Sequence, residues 1–146
     1  MMIDIYTIPS NLPSRRAIQW LTDHQVAFHE HRVHPAQPKL TPVPVKELLT
    51  ASENGVEDLL APHSHAYQVL ASEHNIDELP LTELIRAIEA QPSMLRFPII
   101  FNRSQCLIQT GYSDEMIRTF VTRQERHHDL LVRLSSLTDQ PPRQTD

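Results

Sequence analysis

The chain has 146 residues, a formal net charge of -5 and a pI near 6.0, which gives the size of one domain and no basic surface for non-specific phosphate binding. Its single cysteine, Cys106, excludes an internal disulfide, and its two glycines, Gly55 and Gly111, exclude the common Gly-rich phosphate loops. No basic leader precedes an apolar run and no apolar stretch reaches spanning length, so a soluble, cytoplasmic chain without a membrane partner is expected.

In chain order, Ile3 and Ile5 with the β-formers Tyr6 and Thr7 predict a strand. Once Pro9 and Pro13 are passed, Ala17, Ile18 and Leu21 recur at helical spacing, and this first helix should end near Asp23-His24. A candidate site therefore lies where strand becomes helix, because a helix N-terminus exposes N–H groups and a partial positive charge. Gln25 to Val33 reads as a second strand, with Val26, Phe28 and Val33 as its apolar contacts, so the chain opens as a βαβ unit. His34 to Pro44 carries Pro35, Pro38, Pro42 and Pro44, which remove donors and fix φ; it serves as a linker.

Val45 to Ala90 is helical in pieces: Val45–Ala51, a break at Asn54-Gly55, Val56–Leu60, Ser64–Ser72 and Leu81–Ala90. In the last piece Leu81, Leu84, Ile85 and Ile88 form the i, i+3, i+4, i+7 stripe. Phe97 to Phe101 is β-rich, and Cys106 to Thr110 is its hairpin partner across Asn102–Gln105. Ser113 is placed to cap a final helix, with Asp114 and Glu115 in its first turn and Met116, Ile117, Phe120 and Val121 as its core stripe. Beyond Arg123, Leu130, Leu131, Leu134 and Leu137 fit a further helix, while Thr138–Asp146 has no packing face and is expected to be disordered.

Tyr6-Thr7, a short loop, then Asn11 and Ser14 followed by Arg15 resembles the first βα turn of the arsenate reductase family. It is more similar still to the Spx/MgsR branch of transcriptional regulators, whose signature there is cysteine-x-x-cysteine-arginine. Met94 to Ile100, then Gln109 to Tyr112, Asp114-Glu115 and Ile117-Arg118, resemble the same family's C-terminal motif. The resemblance spans Met2 to about Arg123. It implies an α/β fold: a thioredoxin-like four-stranded mixed sheet with flanking helices and an all-helical lobe inserted between strands 2 and 3. Residues 1–123 would form the domain, with the core in 1–33 and 94–123 and the insert in 34–93; residues 124–146 would add a C-terminal helix and a disordered tail. It also places Pro98 at the thioredoxin-like cis-proline, so Phe97-Pro98 is expected to be cis.

Asn11 and Ser14 stand at the two cysteine positions, so the thiolate that family reductases use is missing; a carboxamide is no nucleophile. Ser14 has no base beside it in sequence and is expected to cap the helix. The family's arginine before the cis-proline is here Phe97, with Arg96 one residue earlier and, by strand alternation, on the other face; Phe97 is expected to fill space. His29, His31 and His34 share a strand edge and are read as solvated, and no metal or other cofactor is expected. His127-His128 is given no site, and Cys106 is expected to be a small packed hydrophobe. Gly55 reads as a positive-φ stop beside a solvated acidic face of Glu53, Glu57 and Asp58.

In Spx-like proteins the glycine corresponding to Gly55 lies in the surface that docks on the C-terminal domain of the RNA polymerase α subunit, helped by a basic residue eight positions on, here His63. The resemblance thus implies a redox-inactive regulator without enzymatic activity, which reaches DNA only through polymerase. The alternative it leaves open is an arsenate-reductase-like or glutathione-dependent reductase or transferase of the thioredoxin fold.

Overall fold

A computed structural model describes residues 3–122 and Leu134. The expectations for 124–146, Leu134 apart, lie outside the described residues.

Five strand-forming residues open the chain as β1 (Ile3–Thr7), followed by α1 (Leu12–Asp23) and β2 (Phe28–Arg32). β1 and β2 pair in parallel, from Ile3 opposite Phe28 to Thr7 opposite Arg32, which completes the βαβ opening. β2 begins later than its sequence indicates because Gln25 takes φ +56 in the turn leaving α1. A helical insert follows: α2 (Val45–Ala51), α3 (Val56–Leu59), α4 (His65–Glu73) and α5 (Leu81–Ala90). The chain then returns as β3 (Ile99–Asn102), antiparallel to β1, and β4 (Leu107–Thr110), antiparallel to β3. The sheet order is β2-β1-β3-β4, a four-stranded mixed sheet. Phe97-Pro98 is cis, and β3 starts at Ile99 because Pro98 has no N–H for the ladder.

Alternation along β1 sorts the core into two layers. Tyr6, with Ile99 opposite it and Phe101 two residues along β3, packs beneath the insert against Leu48, Leu59, Leu84, Ile88 and Met94. Ile3, Ile5 and Ile100 face the other way, against Ala17, Trp20 and Leu21 of α1 and against Ile117, Phe120 and Val121 of α6 (residues 114–122). Ser113 caps α6 by accepting the Met116 N–H at 3.0 Å. Met116 itself departs from expectation. It is 49% exposed, because Ile117, Phe120 and Val121 already fill the i, i+3, i+4 face and Met116 lies about 100° round the helix from Ile117.

Candidate functional site

The loop between β1 and α1 turns through Ser10, which holds φ +57. Asn11 then adopts extended backbone, φ -118 and ψ 111, and its Oδ1 accepts the Ser14 N–H at 2.9 Å. Asn11, not Ser14, is therefore the N-cap. The reason is position: Leu12 is the first helical residue, so Ser14 is the third residue of the first turn, where its N–H is the donor a cap must satisfy. Ser14 is 3% exposed, and its Oγ accepts the Ile8 N–H at 3.4 Å, tying loop to helix. Arg15 is exposed. The helix terminus thus spends one of its free donors on its own carboxamide rather than on an external anion. Replacing Asn11 by Ala should cost about 0.5–2 kcal/mol in urea melts, whereas Asn11→Ser, which keeps a cap oxygen, should stay near wild type.

The β1–β3 ladder ends at Tyr6 opposite Ile99, next to the cis Phe97-Pro98 pair. Phe97 is 6% exposed within the insert-side core, to which Ile8 also packs, while Arg96 is exposed and its N–H donates to the Leu59 carbonyl at 2.7 Å. The Pro98 carbonyl is taken by the Gly111 N–H at 2.9 Å.

Gly55 lies in the α2–α3 turn with φ +71 and ψ -140, a conformation open to glycine and strained for residues with a Cβ. The turn is knit from within, since Asp58 accepts the Asn54 N–H at 2.9 Å and the Asn54 side-chain amide at 3.2 Å. The Asn54 N–H, chiefly, holds the Asp58 carboxyl below its ordinary pKa. A Cβ built on Gly55 meets nothing within 4 Å, so the turn presents open space above it. His63 is exposed in the next turn, between α3 and α4; the two residues bracket α3 on successive turns.

His29 and His31 share one face of β2 with their rings stacked at 4.7 Å; His31 stacks in turn on Tyr6 at 4.6 Å, and its Nε2 lies 2.8 Å from Asp4 Oδ1. His34 is exposed beyond the strand. Burial and the Asp4 carboxylate raise the Tyr6 pKa. Among the described residues, no three histidine, cysteine, aspartate or glutamate side chains gather as a metal site.

Cys106 is a correction. It is exposed, with φ +54, because Asn102 pairs with Leu107 and the four intervening residues must close a turn whose last member is left-handed. Asn102 Oδ1 organises that turn by accepting from Ser104 Oγ at 2.8 Å and the Gln105 N–H at 3.1 Å. Sequence reasoning also missed a cleft of about 540 Å³ between the α2–α3 turn and β4, whose lining includes Glu53, Glu57, Arg96, Cys106, Gln109 and Met116. No sequence signal marked it, because Met116 reads there as part of the core stripe.

A profile described as the ArsC family matches residues 6–120. The chain is 36% identical over 130 residues to the global transcriptional regulator Spx 1 of Lactococcus lactis subsp. lactis (strain IL1403), covering 89% of this chain and 97% of the relative. The chain belongs to the ArsC family, in its Spx-like branch. The global transcriptional regulator Spx of Bacillus subtilis (strain 168) is 33% identical over 129 residues, covering 88% of this chain and 94% of that one. Among solved structures, the arsenate reductase from Vibrio cholerae superposes with a TM-score of 0.65 at 19% identity, covering 82% of this chain and 98% of that chain. A putative ArsC family related protein from Bacteroides fragilis gives the same TM-score at 15% identity. These two likenesses bear on fold, and the fold of this Spx-like chain is the thioredoxin-like arrangement its sequence resembles. Among its described residues no helix is long and apolar enough to cross a membrane.

Proposed function

We propose that this Spx-like chain is a cytoplasmic transcriptional regulator that acts without a redox switch, docking on the C-terminal domain of the RNA polymerase α subunit through the turns that carry Gly55 and His63. The observation that carries the reading is the near full-length similarity to proteins named as Spx regulators, supported by Asn11 and Ser14 where the sequence resemblance places the family's two cysteines. With a carboxamide capping α1 and a buried hydroxyl behind it, the first loop has neither the thiol pair for a disulfide nor a nucleophile for reductase turnover. The chain is then either competent at all times and controlled by abundance, or a competitor of a redox-active relative. DNA is reached only through polymerase, in keeping with a net charge of -5.

Calorimetric titration against the isolated α C-terminal domain tests the docking, and absence of binding by the wild-type chain would overturn it. The redox claim has its own test. Affinity measured with and without diamide should agree, and Cys106→Ser should not alter it; an oxidant effect that Cys106→Ser abolishes would show that the exposed thiol is a switch after all.

The ArsC family match supports a second reading, an arsenate-reductase-like or glutathione-dependent enzyme that borrows its thiol. Arsenate or disulfide turnover with added glutathione would favour it over the regulator.

A further inference from the structure

We infer that the cleft between the α2–α3 turn and β4 takes a basic, apolar-centred segment of the docking partner. The inference deepens the docking reading, because Glu53, Asn54, Glu57 and Asp58 form one wall of the cleft and flank Gly55 on the same turn.

Three carboxylates, Glu53, Glu57 and Asp58, line the cleft against one cation, Arg96. Asp58 is engaged by Asn54, whereas neither Glu53 nor Glu57 takes part in a salt bridge among the described residues. Such a rim repels phosphates and attracts lysine and arginine, so it fits a protein segment and not a nucleic acid. The opposite side is apolar and adaptable: Met116 is 49% exposed and adjoins Phe120, and a flexible thioether suits a surface that must fit a partner's side chain. Gln109 lines the same cleft, with its Nε2 buried and without a hydrogen-bond partner among the described residues. An apolar side chain set between two cations would meet Met116 while its flanks meet Glu53 and Glu57.

Cys106 lines the same cleft and is the only thiol in the chain, so it reports on occupancy. The rate of Cys106 alkylation by neutral iodoacetamide is measured on the full chain alone, with a helical peptide of lysine and leucine, with its glutamate-for-lysine counterpart, and with the α C-terminal domain. At a concentration near ten times its Kd, the basic peptide should slow alkylation about tenfold by mass action, and the acidic one should not. The exposed double variant Glu53→Gln/Glu57→Gln should lose most of that protection, as should raising the salt concentration.

If the α C-terminal domain binds and yet neither it nor the basic peptide protects Cys106, the cleft inference is overturned while docking through Gly55 stands. Equal protection by the acidic peptide, or protection unchanged in the double variant, overturns it too. If the basic peptide protects but the polymerase domain does not bind, the polymerase reading falls and the basic occupant belongs to another partner protein.

Discussion

Replacing Gly55 by Arg is expected to weaken binding to the polymerase α C-terminal domain by about 2–5 kcal/mol, ~30-fold or more, because a long cation fills the open space above the turn and repels a basic partner segment. The backbone adds a separate cost. At φ +71 and ψ -140 a residue with a Cβ carries about 1–3 kcal/mol of strain, more than a plain left-handed stop would impose, yet within the stability of a domain this size. Nothing lies within 4 Å of the added Cβ, so no core contact is disturbed. Gly55→Ala separates the two effects: it carries the same strain without the long cation, so it should melt like Gly55→Arg and bind far better. Calorimetric titration and thermal melts on both variants check this, and a Gly55→Arg chain that binds like wild type would remove the docking reading.

Truncating Phe101 to Ala should destabilise the fold by about 3–5 kcal/mol, a large part of the whole for a marginally stable domain. Phe101 is 2% exposed on β3, paired with Asp4 of β1 on one side and Ile108 of β4 on the other, and it packs under the insert. Its loss leaves a cavity at the point where sheet and insert meet, and removes the ring over which Arg103 sits at 5.8 Å. At about 2–4 °C per kcal/mol for a domain of this size, the melting temperature should fall by roughly 10 °C. Leu40→Ala, at a side chain 65% exposed, should shift it by about 1 °C. Comparable losses for the two variants would mean that the core does not run through β3.

Much of this architecture was legible because single signals were strong. The Leu81, Leu84, Ile85 and Ile88 stripe marks α5 to the residue at both ends, and the prolines from Pro35 to Pro44 separate the insert from β2. Positions where side-chain identity and backbone geometry compete were harder. Cys106 has a core composition signal, but the turn required a left-handed residue there and placed its thiol in solvent. Ser14 has the chemistry of a cap, but the helix starts two residues before it, and Asn11 does the capping. The site was harder still: the carboxylates of the α2–α3 turn are adjacent in sequence and resemble an ordinary solvated face. Only the return of the chain through β4 and α6, bringing Gln109 and Met116 opposite them, makes a cleft.

The position of β2 at one margin of the sheet has a consequence for solubility. A margin strand offers a row of unpaired backbone groups, and a second molecule can add its own strand there to begin an aggregate. Here the strand is five residues long and reads Phe28-His29-Glu30-His31-Arg32, so four of its five side chains are polar. Glu30 is engaged by Thr7 and Arg32, and His31 by Asp4, so an incoming strand would have to settle against a fixed array of charges and rings. The histidine-rich strand thus acts as a guard rail, keeping neighbouring molecules from extending the sheet.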